Sequence, residues 1–590
     1  MKRKDIDERY FWNLKDLYET PAAWEKAYKE AEKGSLSAFR GKLGQKDKLL
    51  ACLKKQDEIS RKLERLYVYA HMLSDQDTSD AENGAFVARA QSLLVKLNAD
   101  SAYILPELTA LDETFLKDCI ADKAFSDYDY MLETVLKEKP HVLGEEAEKV
   151  LALGGDVYSG FRDVFNVADN ADFPFPTVKD GEGNKVRVTH GMYSVCMQSA
   201  DRAFRRRAFK AYYGAYIGMV NTLTATYSGS VKKDVFLSKA RGYKSCLERA
   251  LSGEDVEPVV YKNLLSSVHR ALPTLHRYIE AKKNALKLDK MHMYDMYVPV
   301  VENADLKLEY EEAYALVKEG LAPLGEEYVS LLQKAFDERW IDVYENDGKR
   351  SGAYSTSCYE AHPYVLLNYQ KTTHDVFTIA HEMGHSIHSY FSNRTQPYAK
   401  ADYKIFVAEV ASTVNEVLLL KHILKNARDK KLKKYLLSYL LEMIRTTLFR
   451  QTQFAEFEYA AHETVEKGVP LTRENLCKKY LKLNREYYGK AVESDKEIAY
   501  EWSRIPHFYT SFYVYKYATG IISALFIANR ILTEGKIAVE DYFKFLSSGG
   551  SDNPVNLLKI AGVDLTKTDA FDSAMRVFEE TLEQFIAAEE

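Results

Sequence analysis

No run of about 18 apolar residues, the length a helix needs to cross a bilayer, occurs anywhere in the 590-residue chain. A membrane-spanning segment is therefore not expected. Cysteines are few and scattered: Cys52, Cys119, Cys196, Cys246, Cys358 and Cys477 form no CxxC pair, so neither a disulfide framework nor a thiolate zinc site is indicated. Such usage suits a reducing interior, and a cytoplasmic location is expected. Basic excess is also missing. With a formal net charge of -6 and 28% charged residues, the chain offers no positive surface of the kind that phosphate backbones attract, so nucleic acid is not an expected partner. The opening stretch MKRKDIDERYFWNL is charged where a secretory signal needs an apolar core, which argues against a cleaved signal.

What remains is an ordinary globular composition, 46% hydrophobic, in a chain long enough for two or more domains or one large helical assembly. Residues 22 to 120, in stretches such as SRKLERLYVYAHMLSDQD, place apolar side chains three and four apart among charged ones, which predicts amphipathic helices. Residues 169 to 195, DNADFPFPTVKDGEGNKVRVTHGMYSV, break that rhythm with two prolines, a DGEGN turn and an alternating VRV segment; this predicts a hairpin and a domain boundary nearby. Division into an N-terminal helical lobe, 1–195, and a second, larger helical domain, 196–590, which carries the histidine-rich segment, follows. The run AFRRRAFKAYY reads as a helix with a solvated basic face. Between 340 and 370, WIDVYEN, SGAYSTS and HPYVLLNYQ are rich in aromatic and β-branched residues and predict one small sheet.

That sheet leads into HEMGHSIH, residues 381–388. Thr372 or Thr373 can cap a helix there, Asp375 suits its first turn, and Phe377, Ala380, Met383, Ile387 and Phe391 recur at roughly helical spacing. His381 and His385 are then four residues apart on one face. Their imidazoles can converge on a single ion at about 2.0–2.1 Å, while Glu382, one residue round the helix, can reach a water on it. With 14 histidines in the chain, H-E-x-x-H would arise by accident about 0.03 times in such a composition. Two incidental histidines on a surface helix are the weaker reading. Gly384, costly inside a helix, points to something approaching closely at that position.

A catalytic zinc of this kind needs a third protein ligand. The metzincin continuation HExxHxxGxxH is excluded, because His388 holds the glycine position and Phe391 the last histidine position. His388 shares the histidine face but would have to bend back along the axis, so a structural role is expected for it. Glu409, set among Phe406, Val407, Val410 and Val414 on the next predicted helix, is the better candidate, since an unpaired carboxylate is expensive to bury. Glu416 and Asp402 are further acidic residues nearby. Spacing alone does not choose among the three.

The stretch from HEMGH through FVAEVAST to NE resembles the M3 metallopeptidases, the thimet oligopeptidase group; SGAYS, HPYVLLNY, IPHFYTSFYVYKYATG and SSGGSDNPVNLLKIAGVDL are similar to its oligoendopeptidase F branch. The resemblance covers most of residues 200–585. It implies that His381, His385 and Glu409 hold one zinc ion and that Glu382 is the general base. It further implies a mainly α, two-lobed clam with a deep channel and a small β-sheet next to the HExxH helix. By the same resemblance His507, Tyr517 and Tyr513 fall where the family carries donors to the substrate carbonyl. The family's Gly-Gly-Tyr step reads Thr510, Ser511, Phe512 here.

The expected function is a zinc-dependent oligoendopeptidase, cutting internal bonds of short peptides by a zinc-activated water, with no membrane or obligate protein partner. A zinc-containing peptide-binding protein without catalysis, or an exopeptidase of the same fold, is the alternative; an intact Glu382 speaks against the first. From its position, the HPYVLLNY strand is where the substrate backbone is expected to pair.

Overall fold

A computed structural model describes residues 2–301 and 306–588. The fold is mainly α, as the periodicity predicts, with long helices at Lys46–Gln76, Arg202–Ala240 and Pro258–Ala285. Local sequence explains their limits. Asp201 accepts from the amides of Ala203 and Phe204, Pro258 occupies the first turn of its helix, and Lys46–Gln76 buries Leu49, Leu53, Ile59, Leu63 and Leu66 along one stripe. Among the described residues no helix is long and apolar enough to cross a membrane. The RRRAFK run departs from its predicted solvated face at one position: Arg205 is 3% exposed and pairs with buried Asp295 at 2.7 Å, because it shares the inward stripe of Ala208 and Phe209. Arg206, Arg207 and Lys210 are exposed.

The chain packs as two compact units, each built from three separate segments. One comprises Met1–Pro140, Asp305–Asn426 and Ser523–Val563; the other His141–Ala304, Ala427–Ile522 and Asp564–Glu590. A boundary at 195 coincides with none of these limits. Residues up to 140 share one hydrophobic core with the sheet of the first unit, since Trp12, Leu63, Leu66 and Tyr69 cluster with Cys358, Tyr364 and Leu366. The predicted hairpin lies inside the second unit. Helical periodicity identifies an apolar stripe but not the stripe it meets.

Seven short strands occur among the described residues: β1 (Thr177–Lys179), β2 (Lys185–Arg187), β3 (Met291–His292), β4 (Ile341–Asp342), β5 (Tyr354–Thr356), β6 (Tyr364–Leu366) and β7 (Val492–Glu493). β1 and β2 form the predicted hairpin, and β3 pairs with β7 in parallel. In the predicted small sheet β6 is central, parallel to β4 and antiparallel to β5. This corrects the expectation for HPYVLLNY. The amides of Val365, Leu367 and Tyr369 donate to the carbonyls of Trp340, Asp342 and Val343, and the other edge is taken by β5, so the strand has no free edge to offer a peptide.

Two helices of the first unit carry the acidic and histidine residues of interest. The HExxH helix, Thr373–Thr395, opens with a capping box in which Thr372 accepts from the Asp375 amide and Asp375 accepts from that of Thr372. The glutamate helix, Ile405–Asn426, lies directly against it. Gly384 is where they meet. A Cβ there would stand 2.6 Å from Ser412 Cα and 2.7 Å from the Ala411 carbonyl, both backbone atoms that cannot swing aside. Beside that contact the Asn415 amide donates to the Ala380 carbonyl at 2.9 Å, and its oxygen accepts from Tyr328 at 2.9 Å. Gly384→Ala is therefore expected to force the helices apart. Overpacking of about 1–3 kcal/mol should outweigh the gain in helix propensity of about 1 kcal/mol. Thermal unfolding should shift down and metal affinity fall with it; an unchanged or raised melting temperature contradicts the contact.

Candidate metal centre

The HExxH helix sets His381 and His385 one turn apart, and the glutamate helix brings Glu409 to the same point. His381 Nε2 and His385 Nε2 are 3.2 Å apart, and Glu409 Oε2 lies 3.4 Å and 3.6 Å from them. Ligands at about 2.0–2.1 Å from a tetrahedral ion stand about 3.3 Å from one another, so this triangle fits a metal of that size. No other group of three or more His, Cys, Asp or Glu converges in this way among the described residues. Two imidazoles and one carboxylate make a borderline, oxygen-and-nitrogen donor set.

Electrostatics point the same way. The hydrogen bonds of His381 and His385 hold the Glu409 carboxyl well below the ordinary carboxylate range, so it stays ionised. Burial pulls His381 down, but the hydrogen bonds to Glu409 and Glu416 overcome it and raise the imidazole to about 10. A cation must displace that proton. Metal affinity is therefore expected to weaken as pH falls.

Glu416 stands behind the triangle: its Oε1 is 2.5 Å from His381 Nδ1, on the ring side away from Glu409. That bond fixes which nitrogen faces the centre. Asp402 is not among the converging groups. Glu382 is buried and also outside the triangle, with its carboxyl raised above the ordinary range by burial, against the pull of the two histidines. His388 turns into the core, 1% exposed, its ring stacked 3.8 Å from that of Tyr403 at 6°. Burial lowers it to about 3, so it is neutral and takes no part in the triangle.

His507, Tyr513 and Tyr517 belong to the second unit and form a ring cluster of their own. Tyr517 and His507 approach at 3.3 Å between the hydroxyl and Nε2, and Tyr513 lies 5.9 Å from His507 and 5.5 Å from Tyr517 by ring centre. All three are half-buried. Tyr509 and Tyr515 go into the core instead, Tyr509 stacked on Phe165. A single helical stripe through 509, 513 and 517 does not form, because the chain runs from a short 3-10 turn, Pro506–Tyr509, through a left-handed Phe512 before the helix Tyr515–Glu534 begins. Sequence reasoning missed the brace made by Asn415 and Tyr328; an asparagine on a helix gives no signal of the carbonyl it meets.

The profile described as Peptidase family M3 matches residues 195–577, and that described as Oligopeptidase F matches 107–175. The chain is 43% identical to Oligopeptidase PepF of Bacillus subtilis over 586 residues, covering 99% of this chain and 88% of that protein. It is 40% identical to Group B oligopeptidase PepB of Streptococcus agalactiae, covering 98% and 97%. Among solved structures, oligoendopeptidase-F from Enterococcus faecium superposes with a TM-score of 0.72 at 34% identity, covering 100% of both chains.

Glu409→Ala should lose metal affinity by orders of magnitude, and Glu416→Ala by about 10–100-fold, the usual cost of losing a partner behind a ligating histidine. His388→Ala should keep its metal and lose thermal stability. Metal content after dialysis against dilute chelator measures all three; a fully loaded Glu409→Ala protein moves the third ligand elsewhere.

Proposed function

The chain belongs to peptidase family M3, in its oligoendopeptidase F branch, and we propose that its metal is zinc and that it cuts internal bonds of short peptides with Glu382 as general base. Membership makes it a metalloendopeptidase. The observation that carries the finer reading is the triangle of His381 Nε2, His385 Nε2 and Glu409 Oε2, since two histidines and a glutamate with an open fourth position are a donor set of catalytic zinc. Zinc held there supplies a Lewis acid that makes a water acidic near neutral pH. Glu382 takes the proton of the attacking water and returns it to the leaving amine. Its burial favours that task, because a carboxyl raised toward neutrality is a better proton carrier at the working pH than an ordinary one. Glu416 keeps the His381 ring oriented throughout.

An extended substrate needs a strand edge, and β5 rather than β6 provides one: among the described residues β5 pairs with β6 alone. We assign the substrate backbone to the outer edge of Tyr354–Thr356. His507, Tyr513 and Tyr517 are proposed as donors to the charge that develops on the carbonyl oxygen, a role supported by the family pattern and by their common cluster. The six free cysteines, five of them buried, support a reducing, cytoplasmic location. Short peptides are the one class of partner this reading requires.

Incubation with a peptide mixture of graded length, with and without chelator, tests the activity. Peptides of roughly 6 to 20 residues should be cut internally, an extended chain advancing about 3.3 Å per residue, while a folded protein stays whole. Glu382→Gln should bind one zinc and turn over nothing; full hydrolysis by that variant, or trimming confined to chain ends, contradicts the assignment.

Donor residues act in the transition state, so their loss lowers kcat and kcat/KM together. His507→Ala and at least one of Tyr513→Phe and Tyr517→Phe should lose about 10²-fold in kcat with zinc retained. Wild-type rates in all three place the donor elsewhere.

A further inference from the structure

The loop that carries Tyr513 is held in an unusual way. Phe512 has φ +56°, a left-handed conformation that side chains with a Cβ seldom adopt, and it is 2% exposed. In the family's Gly-Gly-Tyr step it takes the place of the tyrosine, after Thr510 and Ser511 in the places of the two glycines. A bulky residue persists in such a conformation only where its surroundings over-determine it, and such positions gather at functional sites. The surroundings here are buried charged groups that the proposed chemistry does not use.

Glu458, fully buried on the helix Arg450–Glu466, accepts the Phe512 amide on Oε1 at 2.8 Å, while its Oε2 has no hydrogen-bond partner among the described residues. One residue earlier the Ser511 hydroxyl donates to Oδ2 of Asp234, which is 2% exposed. His462, 1% exposed, joins the Asp234 carboxylate to the backbone of Glu458: its Nε2 is 3.3 Å from Asp234 Oδ2 and its Nδ1 2.9 Å from the Glu458 main-chain carbonyl. The Phe512 ring closes the arrangement, 4.7 Å from His462. Asp234 is anchored in turn by Arg249 at 3.0 Å and Lys233 at 3.3 Å. Immediately beyond this clamp the chain delivers Tyr513 and, one turn later, Tyr517 to His507.

We propose that Glu458 and Asp234 are positioning residues, which lock Ser511 and Phe512 in the left-handed turn and so set the orientation of Tyr513 and Tyr517 against His507. The inference rests on the reading of those three rings as donors. Burying three titratable side chains under a surface turn is costly, and a turn needing only to connect two helices has no use for them. A glycine would take the same φ unaided. With phenylalanine at 512 the hydrogen bond that its N–H donates to Glu458 makes the turn rigid as well as left-handed.

The test compares Glu458→Ala, Glu458→Gln and Ser511→Ala in the zinc-loaded enzyme. Gln retains the oxygen that accepts from Phe512 and should keep kcat within about twofold of wild type. Ala removes it and should lower kcat tenfold or more, with KM and zinc content unchanged. Ser511→Ala, which deletes one half-buried hydroxyl and leaves the core filled, should lower kcat in the same sense and decides the matter if Glu458→Ala does not fold. Amide hydrogen exchange supplies a readout without turnover: exchange across residues 508–517 should rise in Glu458→Ala and Ser511→Ala but not in Glu458→Gln. Combining Glu458→Ala with Tyr517→Phe should cost little more than the slower single variant. Wild-type kcat and exchange in Ser511→Ala and Glu458→Ala overturn the proposal, as does an equal kcat loss in the Gln and Ala variants. If instead His507→Ala and both tyrosine variants turn over normally, it is the donor reading that has failed.

Discussion

Two backbones touching at Gly384 hold the candidate metal centre together, because two of the three converging atoms rise from one helix and the third from the other. A separation of a few tenths of an ångström between these helices would open the triangle as a whole. The spacing is over-determined in consequence: Asn415 ties the glutamate helix to the Ala380 carbonyl one turn before the contact, Tyr328 fixes Asn415, and Glu416 grips His381 two turns beyond Glu409. The capping box at Thr372 secures the start of the HExxH helix. These bonds are each modest in net free energy, about 0.5–1.5 kcal/mol. Their value lies in geometry rather than in stability.

Charge is distributed around the centre with some economy. Three carboxylates, Glu382, Glu409 and Glu416, surround two imidazoles, yet burial and neighbours treat them differently. Glu409 is held ionised by the histidines, whereas Glu382 is pushed toward its neutral form. One carboxylate is thus suited to binding a cation and its neighbour to exchanging a proton, and the difference comes from placement, since the side chains are chemically the same.

Features set by neighbours along the chain were legible in the sequence. The i, i+4 relation of His381 and His385, the cap at Thr372, the hairpin around DGEGN and the close approach at Gly384 all follow from local periodicity and local chemistry. Features set by neighbours in space were not. Among Glu409, Glu416 and Asp402 only the packing of the second helix separates a converging carboxylate from one behind a histidine. The central place of β6 could not be read from HPYVLLNY, because strand order depends on the crossover from Ile341, and the division of the chain depends on which helical stripes meet. In the 505–520 segment tyrosines four apart imitate a helical stripe; the left-handed Phe512, a residue type that does not announce that conformation, breaks it.

Each compact unit is assembled from three stretches of chain, and this bears on how the molecule is made. The first unit already holds both helices of the His381, His385 and Glu409 triangle when residue 426 leaves the ribosome, but its last segment, Ser523–Val563, follows only after roughly a hundred residues committed to the other unit. At a synthesis rate of about 5–20 residues per second, that interval lasts about 5–20 s. During it the apolar surface awaiting Tyr542, Phe545 and Leu546, all buried in the finished protein, is uncovered beside a centre that is otherwise complete. His388, whose ring meets Phe545 at 5.4 Å, is left open on that side until then. The nascent protein thus passes through a stage in which the residues of the triangle can be present while their hydrophobic backing is not, a period of exposure to chaperones and proteases that a chain with contiguous domains would avoid.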